Sequence, residues 1–101
     1  MANTAKALFR GAATTTTTTT LYTVPSATTT IITNIAVTNT AGTSGTFTLS
    51  LDGVDLHTTA AIAANTTVYI DCKQALATTK TIKGGASATT INFHISGMEI
   101  A

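Results

Sequence analysis

The sequence predicts an all-β chain: an antiparallel β-sandwich of about seven short strands behind an extended N-terminal arm. Three observations carry that class. Short segments alternate apolar and polar residues with period two; in Thr46–Leu51, Phe47, Leu49 and Leu51 take one face and Thr46, Thr48 and Ser50 the other. Clusters of turn-forming residues separate these segments, among them Ala41–Gly45 and Asp52-Gly53. A run of seven threonines, Thr14–Thr20, divides a short basic arm, Met1–Ala13, from a Thr-rich body.

The arm holds Lys6 and Arg10 and no acid. Leu8 and Phe9 have no apolar partners within it, so they are candidate anchors for a neighbouring subunit, with Lys6 and Arg10 flanking them to meet carboxylates. A β-branched run loses χ1 freedom in a helix and carries a hydroxyl at every position, which makes it a poor helix and a poor core. Thr14–Thr20 is therefore expected to be an extended tether, able to span about 23 Å. The domain division that follows is arm and tether over 1–19 and sandwich over 20–101.

Leu21–Val24 reads as a short strand closed by Pro25, the only proline. Thr30–Thr40 follows, with Ile31, Thr33, Ile35 and Val37 on one face. Thr46–Leu51 and Val54–His57 flank Asp52-Gly53, a dipeptide that tolerates the positive φ values of a type I′ hairpin turn. Thr58–Ala64 reads as a small-residue connection anchored by Ile62. Thr66–Cys72 is the next strand, with Val68, Ile70 and Cys72 inward. Lys73–Ala77 has the composition of one helical turn with Leu76 packing down, and Thr81–Lys83 is a short strand ended by Gly84-Gly85. In Thr90–Ile100, Ile91, Phe93 and Ile95 have one parity and Met98 and Ile100 the other, so a β-bulge is expected at Gly97. The expected core is Phe47, Leu49, Leu51, Val68, Ile70, Ile91, Phe93 and Ile95.

One domain fits 101 residues, and a body this small is near the lower limit for a self-sufficient core. Only 9% of residues are charged, where about 25% is usual, and the formal charge is +1. A surface so poor in charge fits one covered by partners or a polar coat of threonine hydroxyls; a homo-oligomer is expected, with a trimer as its form. The body is close to neutral and lacks the cations that phosphate neutralisation needs, which argues against nucleic acid. No stretch is long and apolar enough to cross a membrane. The apolar run at Ala7-Leu8-Phe9 is too short for a secretory signal, so folding in a cytoplasm is expected. Cys72 is the single cysteine and permits no intrachain disulfide; a buried thiol and an intermolecular bridge both remain open.

No constellation points to catalysis or to a cofactor. Asn92, His94 and Ser96 lie two apart on one strand face, but a hydrolase also needs a carboxylate behind the His and an oxyanion hole. His57 and His94 alone lack the ligand count and spacing of a metal site. The glycine pairs have neither a following Lys nor a following helix, so they are not phosphate loops. Asp71 and Lys73 read as a solvated pair.

The body resembles a group of small β-sandwich virion proteins of tailed bacteriophages. The resemblance rests on Leu21-Tyr22-Thr23-Val24-Pro25 leading into TTTIITNIAVTNT (Thr28–Thr40), on LSLDGVDL (Leu49–Leu56), on IAANTTVYID (Ile62–Asp71) and on GGASATTINFHISGMEI (Gly84–Ile100). These are fold and turn motifs and bring no catalytic residues with them. The resemblance implies a structural component of an assembled particle made in a host cytoplasm. The leading expectation is a capsid decoration protein that binds across major capsid subunits and opposes their separation. The alternative is a tail or head-fibre component that binds a host surface ligand.

Overall fold

The computed structural model describes residues 3–71 and 73–101. Among them are nine strands: β1 (Asn3–Ala12), β2 (Thr20–Thr23), β3 (Thr29–Asn39), β4 (Gly45–Leu51), β5 (Val54–Ile62), β6 (Thr66–Ile70), β7 (Gln74–Leu76), β8 (Thr81–Ala86) and β9 (Ile91–Ile100). They form two antiparallel sheets packed face to face, a β-sandwich. One sheet has the order β1-β9-β3-β6, with β7 also pairing β3; the other has the order β2-β8-β4-β5. The core lies between them: Ile32, Ile35, Val37, Phe47, Leu49, Ile82, Ile91, Phe93 and Ile95 are each at most 2% exposed. Phe47 and Phe93 meet edge to face across the sheets, with ring centroids 6.4 Å apart.

The hairpin at Asp52-Gly53 forms as the dipeptide dictates, with φ of 55° and 75° and Leu51 paired to Val54. Six of the eight expected core residues are buried, while Val68 and Ile70 are half-buried at the open side of the sandwich.

The N-terminal arm is the main correction. Asn3–Ala12 is strand β1, an edge strand paired along its length with β9, from Asn3 opposite Ile100 to Ala12 opposite Asn92. The physical reason lies in β9, whose backbone groups on the side away from β3 need partners. Leu8 supplies the second reason. A Cβ at Gly97 would lie 2.8 Å from Leu8 Cδ1, so the leucine occupies the space that the glycine leaves. Burying such a side chain is worth about 1.5–3 kcal/mol.

The threonine run is no extended tether either. The peptide N–H of Ala86 donates to Thr14 O at 2.9 Å and that of Gly84 to Thr19 O at 2.9 Å, so the segment crosses from one sheet to the other along β8. Thr14 Oγ1 and Thr19 Oγ1 lie 2.6 Å apart and both are within hydrogen-bonding distance of Thr16 O, so one hydroxyl donates to the other and the second donates to the carbonyl. The hydroxyls thus supply the partners for their own loop. Gly85 makes room for it: a Cβ there would lie 2.3 Å from Thr16 O. Gly84-Gly85 accordingly runs inside β8 rather than ending it.

Three smaller corrections share one cause, the demand of a neighbouring strand for backbone partners. Thr58–Ala64 is largely strand, since β5 continues to the buried Ile62. Gln74–Leu76 is strand β7, not a helical turn; β6 covers only Ile35–Asn39 of the long β3, and β7 pairs with Thr30–Ile32. The expected bulge at Gly97 falls on its neighbours. Ile32 and Asn34 oppose Gly97 and Ser96, and Ala7 and Phe9 oppose Ser96 and Ile95, so Thr33 and Leu8 are the extra residues. The inward parity therefore switches within β3, from Thr30 and Ile32 to Ile35 and Val37. In β9 it stays constant through Gly97.

Candidate binding surface

The outer face of the five-stranded sheet is assembled from alternate residues of β1, β9, β3 and β6. Cross-strand pairing sets its rows. Arg10, His94, Ala36 and Tyr69 lie in one; Ala12, Asn92, Thr38 and Thr67 lie in the next. Ser96 continues the β9 stripe between Ala7 and Asn34. At the far end the face turns apolar, where Met98 stands between Ala5 and Ile31. Thr38 and Thr67 share a hydroxyl hydrogen bond at 3.0 Å that ties β6 to β3. Tyr69 is 73% exposed beside the small Ala36. Arg10 is the one formally charged side chain on the two central rows.

The parity expected for Asn92, His94 and Ser96 is observed: all three are half-buried on this face. Each carboxylate has its own partner. Asp71 binds Lys73 at 2.5 Å, Asp52 faces Lys80 at 3.5 Å, Asp55 accepts from Thr58 at 3.3 Å, and Glu99 is held by Tyr22 and Lys6. Lys73 holds the Asp71 carboxyl below its ordinary range, first through the hydrogen bond and then through charge attraction. His57 lies in the other sheet, its ring 5.5 Å from that of Phe47. The two histidines are thus on different sheets, and among the described residues no three His, Cys, Asp or Glu side chains group together to hold a metal.

The four candidate anchors of the N-terminal segment separate. Leu8 is 7% exposed and belongs to this chain's own core, and Phe9 packs against it. Lys6 reaches inward to Glu99 at 3.5 Å. Arg10 alone stands out on the face, opposite His94. Cys72 lies outside the described residues.

One polar cluster has no counterpart in the sequence reading. The Tyr22 hydroxyl donates to Glu99 Oε2 at 2.5 Å and shares a hydrogen bond with Thr30 Oγ1 at 2.8 Å. Burial first, and the Glu99 carboxylate second, push the phenol up to about 12. The cluster joins β2 of one sheet to β3 and β9 of the other. The signal was present in the parity of β9, since Glu99 shares the face of Ile91, Phe93 and Ile95. A second polar lock is Asn39, 1% exposed: its amide donates to Thr43 O and Ala63 O and its Oδ1 accepts from Ala41 N–H. Among the described residues every buried side-chain polar atom has a partner, so these groups are satisfied internally.

A depression of about 110 Å³ opens between Leu51, Val54, Asp55, Leu56 and Gln74. A drug-sized ligand needs roughly 300 Å³ or more. No known protein family matches the chain, and a search of curated proteins finds no similar sequence.

Proposed function

We propose that the protein is a structural subunit of a tailed-bacteriophage virion, a capsid decoration protein that docks on the major capsid protein through the outer face of its five-stranded sheet. The observation that carries this reading is the face itself. It is a continuous sheet surface with one charged side chain on its central rows. Flat surfaces of this kind bind through area and shape, and a docked lattice of many copies multiplies a modest contact. Attachment by a reaching arm is not part of the proposal, because Asn3–Ala12 is a strand of the sandwich. In this reading the protein is made in the host cytoplasm, acts as a homo-oligomer on the capsid surface, and contributes by opposing separation of capsid subunits under the pressure of packaged DNA.

The test is co-sedimentation with undecorated shells of the same phage's major capsid protein. Ala12 and Asn34 are exposed on the face and lie away from β6, so Ala12→Arg with Asn34→Arg leaves the core untouched. The wild type is expected to pellet with shells and the double variant to lose at least about tenfold in affinity, the scale of 1.4 kcal/mol. Wild-type protein that stays in the supernatant, or a variant that binds equally well, overturns the proposal. A second reading, a tail or head-fibre component, draws on Tyr69, whose exposed ring beside Ala36 offers a platform for a host surface glycan. It predicts binding to host cells rather than to shells, abolished by Tyr69→Ala.

A further inference from the structure

The strand edges of the sandwich are not equally protected. An open edge offers unpaired N–H and C=O groups to any other strand, and proteins blunt such edges with charges, bulges, proline or shortness. β1 carries Lys6 and Arg10 and a break in register at Leu8. β5 carries Asp55, two register breaks and a left-handed residue, Thr59, at φ 48°. β2 has four residues and a break between Thr20 and Tyr22, and β7 has three residues. β6 has none of these devices. It is Thr-Thr-Val-Tyr-Ile, without charge, glycine or proline, and its register with β3 runs unbroken from Ile35–Ile70 to Asn39–Thr66. Every one of its residues favours the strand conformation.

We propose that β6 is the contact through which two copies of this chain pair, antiparallel and related by a two-fold axis at Val68, so that the two five-stranded sheets continue into one another. The occupant is a second copy because the edge is self-complementary. The register that pairs all five residues sets Val68 against Val68, Thr67 against Tyr69 and Thr66 against Ile70. A two-fold contact duplicates every charge of the strand along one short seam, which penalises charged edges. β6 is uncharged, and the nearest charges beyond it, Asp71 and Lys73, neutralise each other. The pairing also brings the half-buried Val68 and Ile70 of the two copies together, where a lone molecule leaves them partly in water. On the outer face each Tyr69 ring gains the Thr67 of the other copy as a cross-strand neighbour. The pairing is two-fold, so it yields dimers and not the three-fold form that composition alone suggested. It stands independently of the proposed virion role, since it requires no capsid.

The experiment measures mass by light scattering at about 100 μM, with circular dichroism to report folding. Wild type is expected at twice the 10.2 kDa monomer mass. Thr67 and Tyr69 are both exposed, so Thr67→Lys with Tyr69→Lys keeps the fold while setting like charges opposite one another. That variant is expected to be a folded monomer. Thr67→Glu with Tyr69→Glu is expected to be monomeric alone and to form a mixed dimer with the lysine variant, which only direct apposition of these positions produces. A monomeric wild type, a wild type of three-fold mass, a lysine variant that stays dimeric, or folded variants that fail to pair on mixing would each overturn the proposal. Shell binding is scored separately, so its failure leaves the dimer result intact and the reverse also holds.

Discussion

The inner face of β9 has two halves that hold the sandwich together by different means. Ile91, Phe93 and Ile95 are at most 1% exposed, and Phe93 meets Phe47 of the facing sheet edge to face. Beyond Gly97 the same face presents Glu99, whose side chain is 15% exposed and takes hydrogen bonds from Tyr22 and Lys6. The first half is stabilised by removal of surface from water and is indifferent to pH. The second is stabilised by geometry and charge state, and it closes the sandwich where the sheets thin out to the four-residue β2. Burying a carboxylate requires such partners, because an unpaired charge there would cost several kcal/mol. A face that reads as one amphipathic strand therefore contains two stabilising mechanisms that respond to different perturbations.

The apolar half gives the largest expected effect. Phe93→Ala removes a fully buried ring and should destabilise the fold by about 3–5 kcal/mol, a large share of the stability of so small a domain. Urea unfolding measures it. A midpoint close to wild type would mean that Phe93 does not anchor the facing sheets.

Titration separates the halves. The Tyr22 phenol has its folded pKa raised from 10 to about 12. The neutral form is the one the fold favours, so this contribution is complete below pH 10 and is lost as pH rises toward 12. Two pK units correspond to about 2.7 kcal/mol at most. Tyr22→Phe should lose part of the latch at neutral pH and show a shallower decline over that alkaline window. The difference between the two stability–pH curves is the observable. Parallel curves from pH 9 to 12 would remove Tyr22 from the latch.

Gly97 marks the junction between the halves. An alanine Cβ there would lie 2.4 Å from the Ile31 carbonyl oxygen and 2.8 Å from Leu8 Cδ1. Gly97→Ala should cost about 1–3 kcal/mol, as overpacking does. Adding Leu8→Ala should not restore stability, because the backbone clash with Ile31 remains. Full recovery in the double variant would show instead that only Leu8 sets the close approach.

Alternation was a sound guide wherever a strand keeps one register. β4 and the first half of β9 read correctly from Phe47, Leu49, Leu51, Ile91, Phe93 and Ile95, and the Asp52-Gly53 hairpin read correctly because its conformation is set by two residues. Reading failed where the cause lay in another strand. The parity break that looked like a bulge at Gly97 is absorbed by Thr33 and Leu8, the residues inserted opposite it. β7 is a strand because β6 stops short of the first half of β3. For the candidate surface, the Asn92-His94-Ser96 stripe was legible as one face, but its neighbours Arg10, Ala36 and Tyr69 come from three other strands.

By itself the sequence determined the class: a chain with so many β-branched residues, period-two segments and turn clusters has no stable alternative to antiparallel strands. It also determined the conformation of the tight hairpin and the face on which Phe47 and Phe93 are buried, because each of these depends on residues close together in the chain. Only the tertiary structure decided that the N-terminal segment is a strand and not an arm. Ala5, Ala7 and Gly11 are weak strand formers, and β1 forms because β9 presents an open ladder and Gly97 a space that Leu8 fills. The same holds for the threonine run, which adopts its loop because the missing Cβ of Gly85 leaves room for Thr16 and the N–H groups of Gly84 and Ala86 bind Thr19 O and Thr14 O. Open ladder groups and missing Cβ atoms act on partners distant in sequence, and local propensity carries no record of them.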